Sequence, residues 1–163
     1  MHTNEKDKMS PNSDFKELLS LLNHESKEQG AKSKGNVAKS QGKMRPHFRF
    51  EDLEIWQLAR VLAVKLHKLA DQLDKKRLYR YAEQLRAAGL SLTNNIAEGS
   101  GSTHPQEFKQ FLNIARRPLF EDTSMLMVFE SLGLLDPSEV DLLVTDCDLL
   151  SRKITSFSRS LRP

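Results

Sequence analysis

The chain has 163 residues, 38% hydrophobic and 29% charged, with a formal net charge of +3. That length suits one domain. No apolar run approaches the roughly 20 residues that a membrane-spanning helix needs, and none forms the apolar core of a signal peptide. We therefore expect a cytoplasmic protein. The single cysteine, Cys147, excludes an intrachain disulfide and a cysteine-cluster metal site.

Residues 1–46 are expected to form a basic, largely flexible N-terminal extension. They hold nine Lys or Arg against six Asp or Glu, so they carry the whole net charge. Residues 31–46 are rich in Lys, Ser and Gly and contain five bases and no acid. Such a composition buries too little apolar surface to offset the entropy lost on ordering.

One short amphipathic helix is predicted near residues 13–25 of this extension. Its apolar side chains share one helical face behind a Ser-Asp cap: Phe15, Leu18, Leu19 and Leu22. A helix of about three turns is marginal in isolation. Two interpretations therefore stay open, a helix that frays in solution and a peptide that docks on a partner protein.

From residue 50 onward, apolar residues recur with the period of an α-helix in four successive stripes. The stripes are Ile55, Ala59, Leu62, Leu66, Leu69 and Leu73; Leu78, Ala82, Leu85, Gly89, Leu92 and Ile96; Phe108, Phe111, Leu112, Ala115, Leu119, Leu126 and Phe129; and Val140, Leu143, Cys147, Leu150, Ile154, Phe157 and Leu161. No stretch alternates with a period of two, so nothing supports strands. The pattern predicts an all-α, antiparallel up-down four-helix bundle over residues 47–163.

Cap residues predict where these helices begin and end. Gly99 and Gly101 suit the left-handed residue that ends the second helix, and Thr103 suits the N-cap of the third. Asp136, followed by a proline and then a glutamate, suits the N-cap of the fourth helix.

Two further features concern helix packing. The small residues 87–89, Ala-Ala-Gly, would let a neighbouring helix approach the second helix closely. Pro118 falls inside the third helix, where it cannot donate a hydrogen bond to the carbonyl of Ile114. We therefore expect a kink near residues 114–118 rather than two separate helices.

The end of the second helix carries an unusual polar group, formed by Asn95, Glu98 and Gly99. A carboxylate at a helix C-terminus faces the negative end of the helix dipole, so it needs compensation. Glu98 could accept hydrogen bonds from the free N–H groups that open the third helix, near residues 104–107. We favour this structural clasp, and a direct ligand-binding role is the alternative.

No spacing in the sequence specifies catalysis, a metal or a cofactor. The five histidines are scattered, and no Glu-x-x-His pair occurs. The glycine-rich stretch 99–103 follows a helix rather than a strand and lacks a phosphate-binding lysine. Cys147 lies in an apolar stripe and is expected to act as a small hydrophobic residue. We therefore expect no metal ion, no cofactor and no enzymatic activity.

Three motifs carry a resemblance to a known family. Phe50, Leu53 and Trp56 begin the first helix, residues 84–99 read QLRAAGLSLTNNIAEG, and residues 107–115 read EFKQFLNIA. In this pattern the chain resembles the four-helix-bundle family of proteins encoded by 23S rRNA intervening sequences, over about residues 50–135. It departs from the usual pattern at residues 116–118, Arg-Arg-Pro, where the family commonly has small residues.

The resemblance also implies function. Family members are similar in fold to the accessory variability proteins of diversity-generating retroelements, which form homopentamers that bind nucleic acid and a reverse transcriptase. It therefore implies a homo-oligomer, with a pentamer favoured, and a role as an accessory protein to a reverse transcriptase. The wide apolar face of the first helix also predicts self-association, as do the aromatic residues Trp56, Phe108, Phe111 and Phe129.

The charge layout suggests how such an assembly would act. In an up-down bundle, the end where the first helix begins is expected to be basic, with Arg116 and Arg117 about halfway down; the bases there are Arg49, Lys109, Arg152, Lys153, Arg159 and Arg162. The opposite end is expected to be mixed to acidic, because its acids are partly offset by Lys75, Lys76, Arg77 and Arg80. The candidate nucleic-acid-binding residues are Lys32, Lys34, Lys39, Lys43, Arg45, Arg49, Lys109, Arg116, Arg117, Arg152, Lys153, Arg159 and Arg162. These charges would engage RNA or DNA phosphates, with RNA favoured.

Two other interpretations of the same residues remain open at this point. The basic side chains could simply solvate exposed helix faces. Alternatively, the protein could be an adaptor whose N-terminal helix docks a partner protein without direct binding of nucleic acid.

Overall fold

The computed structural model describes residues 45–162, which fold into four α-helices and contain no strand. A short 3-10 turn, Arg49–Asp52, precedes the helices. The helices are α1 (Glu54–Lys75), α2 (Tyr79–Ser100), α3 (Pro105–Ser131) and α4 (Pro137–Ser160). Contacts divide the chain into two units, Met1–Arg45 and Pro46–Pro163, and the bundle is the second. The predicted fold class is confirmed.

Consecutive helices pack against each other, and α4 closes the bundle against α1. Polar bridges between these two helices give their direction. Lys153 Nζ lies 2.7 Å from Glu54 Oε1, and Lys65 Nζ lies 2.6 Å from Asp146 Oδ2. Gln72 then donates to Glu139 over 3.2 Å. The α4 partners move backward as α1 moves forward, so the two helices are antiparallel.

The predicted apolar stripes form one core. The fully buried leucines and isoleucines come from all four helices: Leu62, Leu66, Leu69, Leu73, Leu85, Leu92, Ile96, Leu112, Leu119, Leu126, Leu150 and Ile154. Leu78, Phe157 and Leu161 are half-buried at its edge. Burying a side chain of this size stabilises the fold by about 1.5–3 kcal/mol, so these contacts dominate its stability.

The aromatic residues singled out for self-association are mostly used inside this core. Phe108 and Phe129 are buried in the bundle, and the ring of Trp56 packs on that of Phe50 at a centroid distance of 4.8 Å. Phe111 is half-buried. One bundle therefore covers most of the surface of these aromatic residues, and their part in self-association stays a prediction.

The helix ends agree with the sequence at one site and differ at others. Asp136 caps α4, and its side chain accepts from the N–H of Ser138. At α3 the N-cap is His104 rather than Thr103, because Pro105 occupies the first helical position. The left-handed residues are Arg77 and Gly133, each just past the end of a helix, with φ of 62° and 66°.

The predicted left-handed conformation of Gly99 and Gly101 is thus wrong, since α2 continues through Ser100 and Gly101 has a φ of −76°. Small residues do permit close helix packing, as predicted. A Cβ on Gly89 would lie 3.1 Å from Ala63 Cα, so α1 and α2 nearly touch there. Pro118 is buried in one continuous α3, and the kink at that point stays a prediction.

Gly99 serves the fold through its lack of a side chain. A Cβ at this position would lie 2.6 Å from Phe108 Cδ2 and 2.7 Å from Phe111 Cβ. Gly99→Ala should therefore lower the free energy of unfolding by about 1–3 kcal/mol, because α2 and α3 must move apart. Denaturant unfolding measures this change. Gly101→Ala is the matched control, since its nearest atom lies 3.3 Å away, and equal losses in both variants would contradict the packing argument.

Candidate functional site

The α3–α4 pair separates its charges along the bundle axis. Because the two helices are antiparallel, the start of α3 lies beside the end of α4. Residues 105–118 and 149–162 together hold seven bases and one acid, and we call them the basic half. Residues 119–148 hold eight acids and no base, and we call them the acidic half.

Some side chains of the basic half are neutralised within the protein. Lys153 pairs with Glu54 at 2.7 Å, and Arg152 pairs with Asp148 at 2.6 Å. Four others have no acidic partner among residues 45–162: Lys109, Arg117, Arg159 and Arg162. Arg117, Arg159 and Arg162 are also exposed, so their charges face solvent.

Arg116 differs from its neighbours because it is half-buried beside an aromatic ring. Its guanidinium carbon lies 5.8 Å from the ring centroid of Phe120. Its Nε is buried without a hydrogen-bond partner in the described part of the chain. The charge of Arg116 is therefore not met by a carboxylate.

The other predicted nucleic-acid-binding residues are placed differently. Arg49 donates to the carbonyl oxygen of Ser100 over 3.1 Å and thus ties the start of the bundle to the end of α2. Arg45 is exposed. Lys32, Lys34, Lys39 and Lys43 lie outside the described residues, as do the predicted docking residues Phe15, Leu18, Leu19 and Leu22.

The α1–α2 pair carries its positive charge at the opposite end of the bundle. Lys75, Arg77 and Arg80 are exposed around the turn between these helices. Arg86 lies nearby, but it is held by Asp71 and Asp74 at 2.6 Å each, and these carboxylates raise its pKa. This end of the bundle is therefore mixed in charge, as expected, and the charges separate fully only within the α3–α4 pair.

The clasp predicted at the end of α2 is made by other residues. Glu98 is exposed and forms no hydrogen bond with residues 104–107. Ser102 accepts from the N–H of His104 over 3.1 Å and bonds to the carboxylate of Glu107. Asn95 donates to the carbonyl oxygen of Ser91 over 2.7 Å, one turn back in its own helix. Glu98 is therefore not the acceptor that was predicted, because its side chain is exposed and the N–H of His104 is taken by the hydroxyl of Ser102.

A shallow groove of about 730 Å³ runs between α2 and α3. Its lining is mainly apolar and consists of Gln84, Ala87, Ala88, Ser91, Pro118, Phe120, Glu121, Ser124 and Met125. Gln84, Ala88 and Ser91 follow the i, i+4, i+7 spacing, so they share one face of α2. The motif at residues 84–99 thus supplies one wall of the groove, which sequence reasoning did not identify.

Asp122 is a second feature that the sequence pattern did not indicate. It is 0% exposed, and neither carboxylate oxygen has a hydrogen-bond partner among the described residues. Burial, together with the charge of Glu121, raises its pKa to about 7. The available signal was the seven-residue gap between Leu119 and Leu126 in the apolar stripe, where Asp122 occupies the missing core position.

Cys147 faces this carboxylate from α4. Burial raises the pKa of its thiol to about 12, the charge of Asp122 adds to that rise, and a hydrogen bond with Thr123 opposes it. A thiol with such a pKa is protonated at neutral pH and is a poor nucleophile. The interpretation of Cys147 as a buried small residue is confirmed.

These observations define a small all-α four-helix bundle whose second helix pair separates its charges. Over residues 51–156 the chain matches the family described as 23S rRNA-intervening sequence protein, and it belongs to that family. No curated protein sequence matches it. None of the helices in residues 45–162 is long and apolar enough to cross a bilayer, and no cluster of metal-ligating side chains occurs in that range.

The buried carboxylate predicts a pH-dependent stability. Since the folded pKa of Asp122 is raised to about 7 from 3.8, the folded state holds a proton between these values that the unfolded state releases. The free energy of unfolding should therefore fall as pH rises through this interval, by up to about 1.4 kcal/mol per pH unit, and level off above it.

Denaturant unfolding of the Asp122→Asn variant across this pH range measures the effect. The free energy of unfolding of this variant should depend much less on pH, and the variant should be more stable than the wild type at pH 8. Asp141→Asn, at an exposed position of α4, is the control and should keep the decline. If the free energy of unfolding of Asp122→Asn falls with pH as that of the wild type does, other titrating groups cause the fall.

Proposed function

We propose that this chain is a non-enzymatic, oligomeric scaffold that binds nucleic acid, with RNA favoured. The observation that carries the proposal is the basic half of the α3–α4 pair. The basic half holds seven bases and one acid. Four of these bases have no acidic partner in the described structure: Lys109, Arg117, Arg159 and Arg162. Side chains of this kind are free to neutralise phosphates.

Such binding would depend on phosphates rather than base sequence. Each phosphate neutralised by a Lys or Arg releases condensed counterions, so affinity falls steeply with salt. The acidic half next to it would repel the same ligand and thereby orient it toward the start of α3. Several copies of the basic half in an oligomer would act on one strand together and raise the overall affinity.

The salt dependence of RNA binding tests this proposal. Full-length protein should bind a labelled RNA, and the affinity should fall steeply between about 50 and 200 mM salt. The double variant Arg117→Gln/Arg159→Gln should bind more weakly, and the slope of log affinity against log salt should be smaller by about two, one for each phosphate contact removed.

The chain offers a matched control. Lys75→Gln/Arg80→Gln removes the same charge from exposed bases at the opposite end of the bundle. This variant should keep the wild-type slope. Equal effects of the two double variants would show that net charge alone drives binding and would contradict a site on the basic half.

The non-enzymatic part of the proposal rests on the side chains inside the bundle. The thiol of Cys147 is buried and protonated, and the carboxylate of Asp122 has no exposed surface. Neither group can reach a substrate in solution while the bundle is closed.

Self-association is supported by apolar side chains that the bundle leaves exposed. Ile114, Met127 and Val128 are exposed on α3. Ile114 lies four residues before Pro118 and Val128 three after Met125, two lining residues of the groove, so the spacing puts Ile114 and Val128 on the groove side of α3. A cluster of exposed apolar residues is typical of an interface. A pentamer rests on the resemblance alone.

Light scattering tests the oligomer. The wild type should have a mass several times the 18.6 kDa of one chain. Ile114→Lys/Val128→Asp should lower this mass, because it places charges on the groove side of α3. Leu142→Asp is the control, since this residue is exposed on α4, and it should keep the wild-type mass. A wild-type mass of 18.6 kDa would contradict the oligomer.

We also propose a reverse transcriptase as the protein partner, and this part of the proposal rests on the family resemblance alone. The adaptor function is its competitor. Loss of partner capture in Leu18→Ser/Leu22→Ser, with no RNA binding by the wild type, would favour the adaptor.

A further inference from the structure

One exposed aromatic side chain lies on α3 two residues beyond the first segment of the basic half, at the start of the acidic half. Phe120 is 61% exposed, although the core around it buries other phenylalanines almost completely. The Arg116 guanidinium lies over its ring at 5.8 Å. One side of the ring is therefore held by a cation, while a large part of its surface faces solvent.

The residues around Phe120 form a continuous stripe on α3. Lys109, Asn113, Arg116 and Arg117 precede it at spacings of eleven, seven, four and three residues, which place all of them on one side of the helix. The stripe is about 16 Å long at 1.5 Å per residue. Residues 109–120 hold no acid, and Glu121, which lines the same groove as Phe120, is the first carboxylate beyond them.

An exposed ring that has a cation over it and further bases along the same helix suits an unpaired base. Single-strand-binding proteins combine cationic side chains that follow the phosphates with aromatic rings on which bases stack. In a duplex, each base face is covered by its neighbours in the stack, so a protruding ring gains no partner there. The stripe therefore favours a single strand over a duplex.

We infer that Phe120 is a stacking position for an unpaired base of single-stranded RNA, with Arg116, Arg117 and Lys109 binding the flanking phosphates. This inference rests on the proposed nucleic-acid binding and deepens it by naming the ligand class. Asn113, exposed between Lys109 and Arg117, is placed to hydrogen-bond to the same strand.

Three oligomers of equal length test the inference with the full-length protein. They are a single-stranded RNA, the corresponding duplex, and an abasic strand with the same number of phosphates. Phe120→Leu keeps an apolar side chain but removes the ring. It should weaken binding of the single-stranded RNA about tenfold, as expected for one lost stacking contact, and leave the affinities for the duplex and the abasic strand unchanged.

Two further variants sharpen the experiment. Tyr79→Leu is the matched control, because Tyr79 is 59% exposed at the opposite end of the bundle, and it should bind all three oligomers as the wild type does. Phe120→Trp should restore binding of the single strand. Its added fluorescence, relative to the wild type with Trp56 alone, should be quenched by that strand and not by the abasic one.

The outcomes separate this inference from the proposed function. If Phe120→Leu binds all three oligomers as the wild type does, the stacking position is wrong and phosphate binding stands. If the wild type binds none of them, both proposals fail. If Phe120→Leu lowers the mass measured by light scattering and leaves every affinity unchanged, the ring belongs to a contact between copies, which also overturns the inference.

Discussion

The antiparallel reversal between α3 and α4 is the constraint on which the rest of the molecule depends. The connection between them covers only residues 132–136, so the apolar stripe of α4 can be buried only by folding back along α3. That reversal brings two basic segments together although they are far apart in sequence, and it gathers the acids between them at the other end. The hydrophobic core thus determines where the charges lie, and no ion pair needs to direct the arrangement.

The same reversal explains how the charges of the whole bundle balance. The α1–α2 pair turns at its basic end, next to the acidic half of α3 and α4. The two helix pairs therefore oppose each other in charge, which limits the overall repulsion within the subunit. For the oligomer that we propose, a repeated head-to-tail contact would need two different complementary surfaces, and the two helix pairs differ in charge in this way.

Much of the fold could be predicted from the sequence because burial repeats with a regular period. The stripes of Leu, Ile and Ala place all four helices, and the cap at Asp136 follows from local hydrogen bonding. The period also conceals exceptions. Asp122 occupies a core position, although the apolar residues around it in the sequence do not predict a carboxylate in the core.

The candidate site was less predictable, because it depends on contacts between helices. The clasp expected of Glu98 is made by Ser102, since the rotation of α2 carries the carboxylate outward. Arg77 adopts a left-handed conformation that sequence preference assigns to glycine, and only the geometry of the turn after α1 requires it. The basic residues were recognisable from the sequence, as was the i,i+4 pair of Asp148 with Arg152, but the pairing of Lys153 with Glu54 across two helices was not.

Pro118 marks the border between the two differently charged parts of α3. Its ring nitrogen has no hydrogen, so α3 lacks the main-chain hydrogen bond to the carbonyl of Ile114. Pro118 is nevertheless buried within one continuous helix, so packing against the core holds α3 together at this point. The continuity of α3 at this border is thus a tertiary property, supplied by the neighbouring helices rather than by the main chain alone.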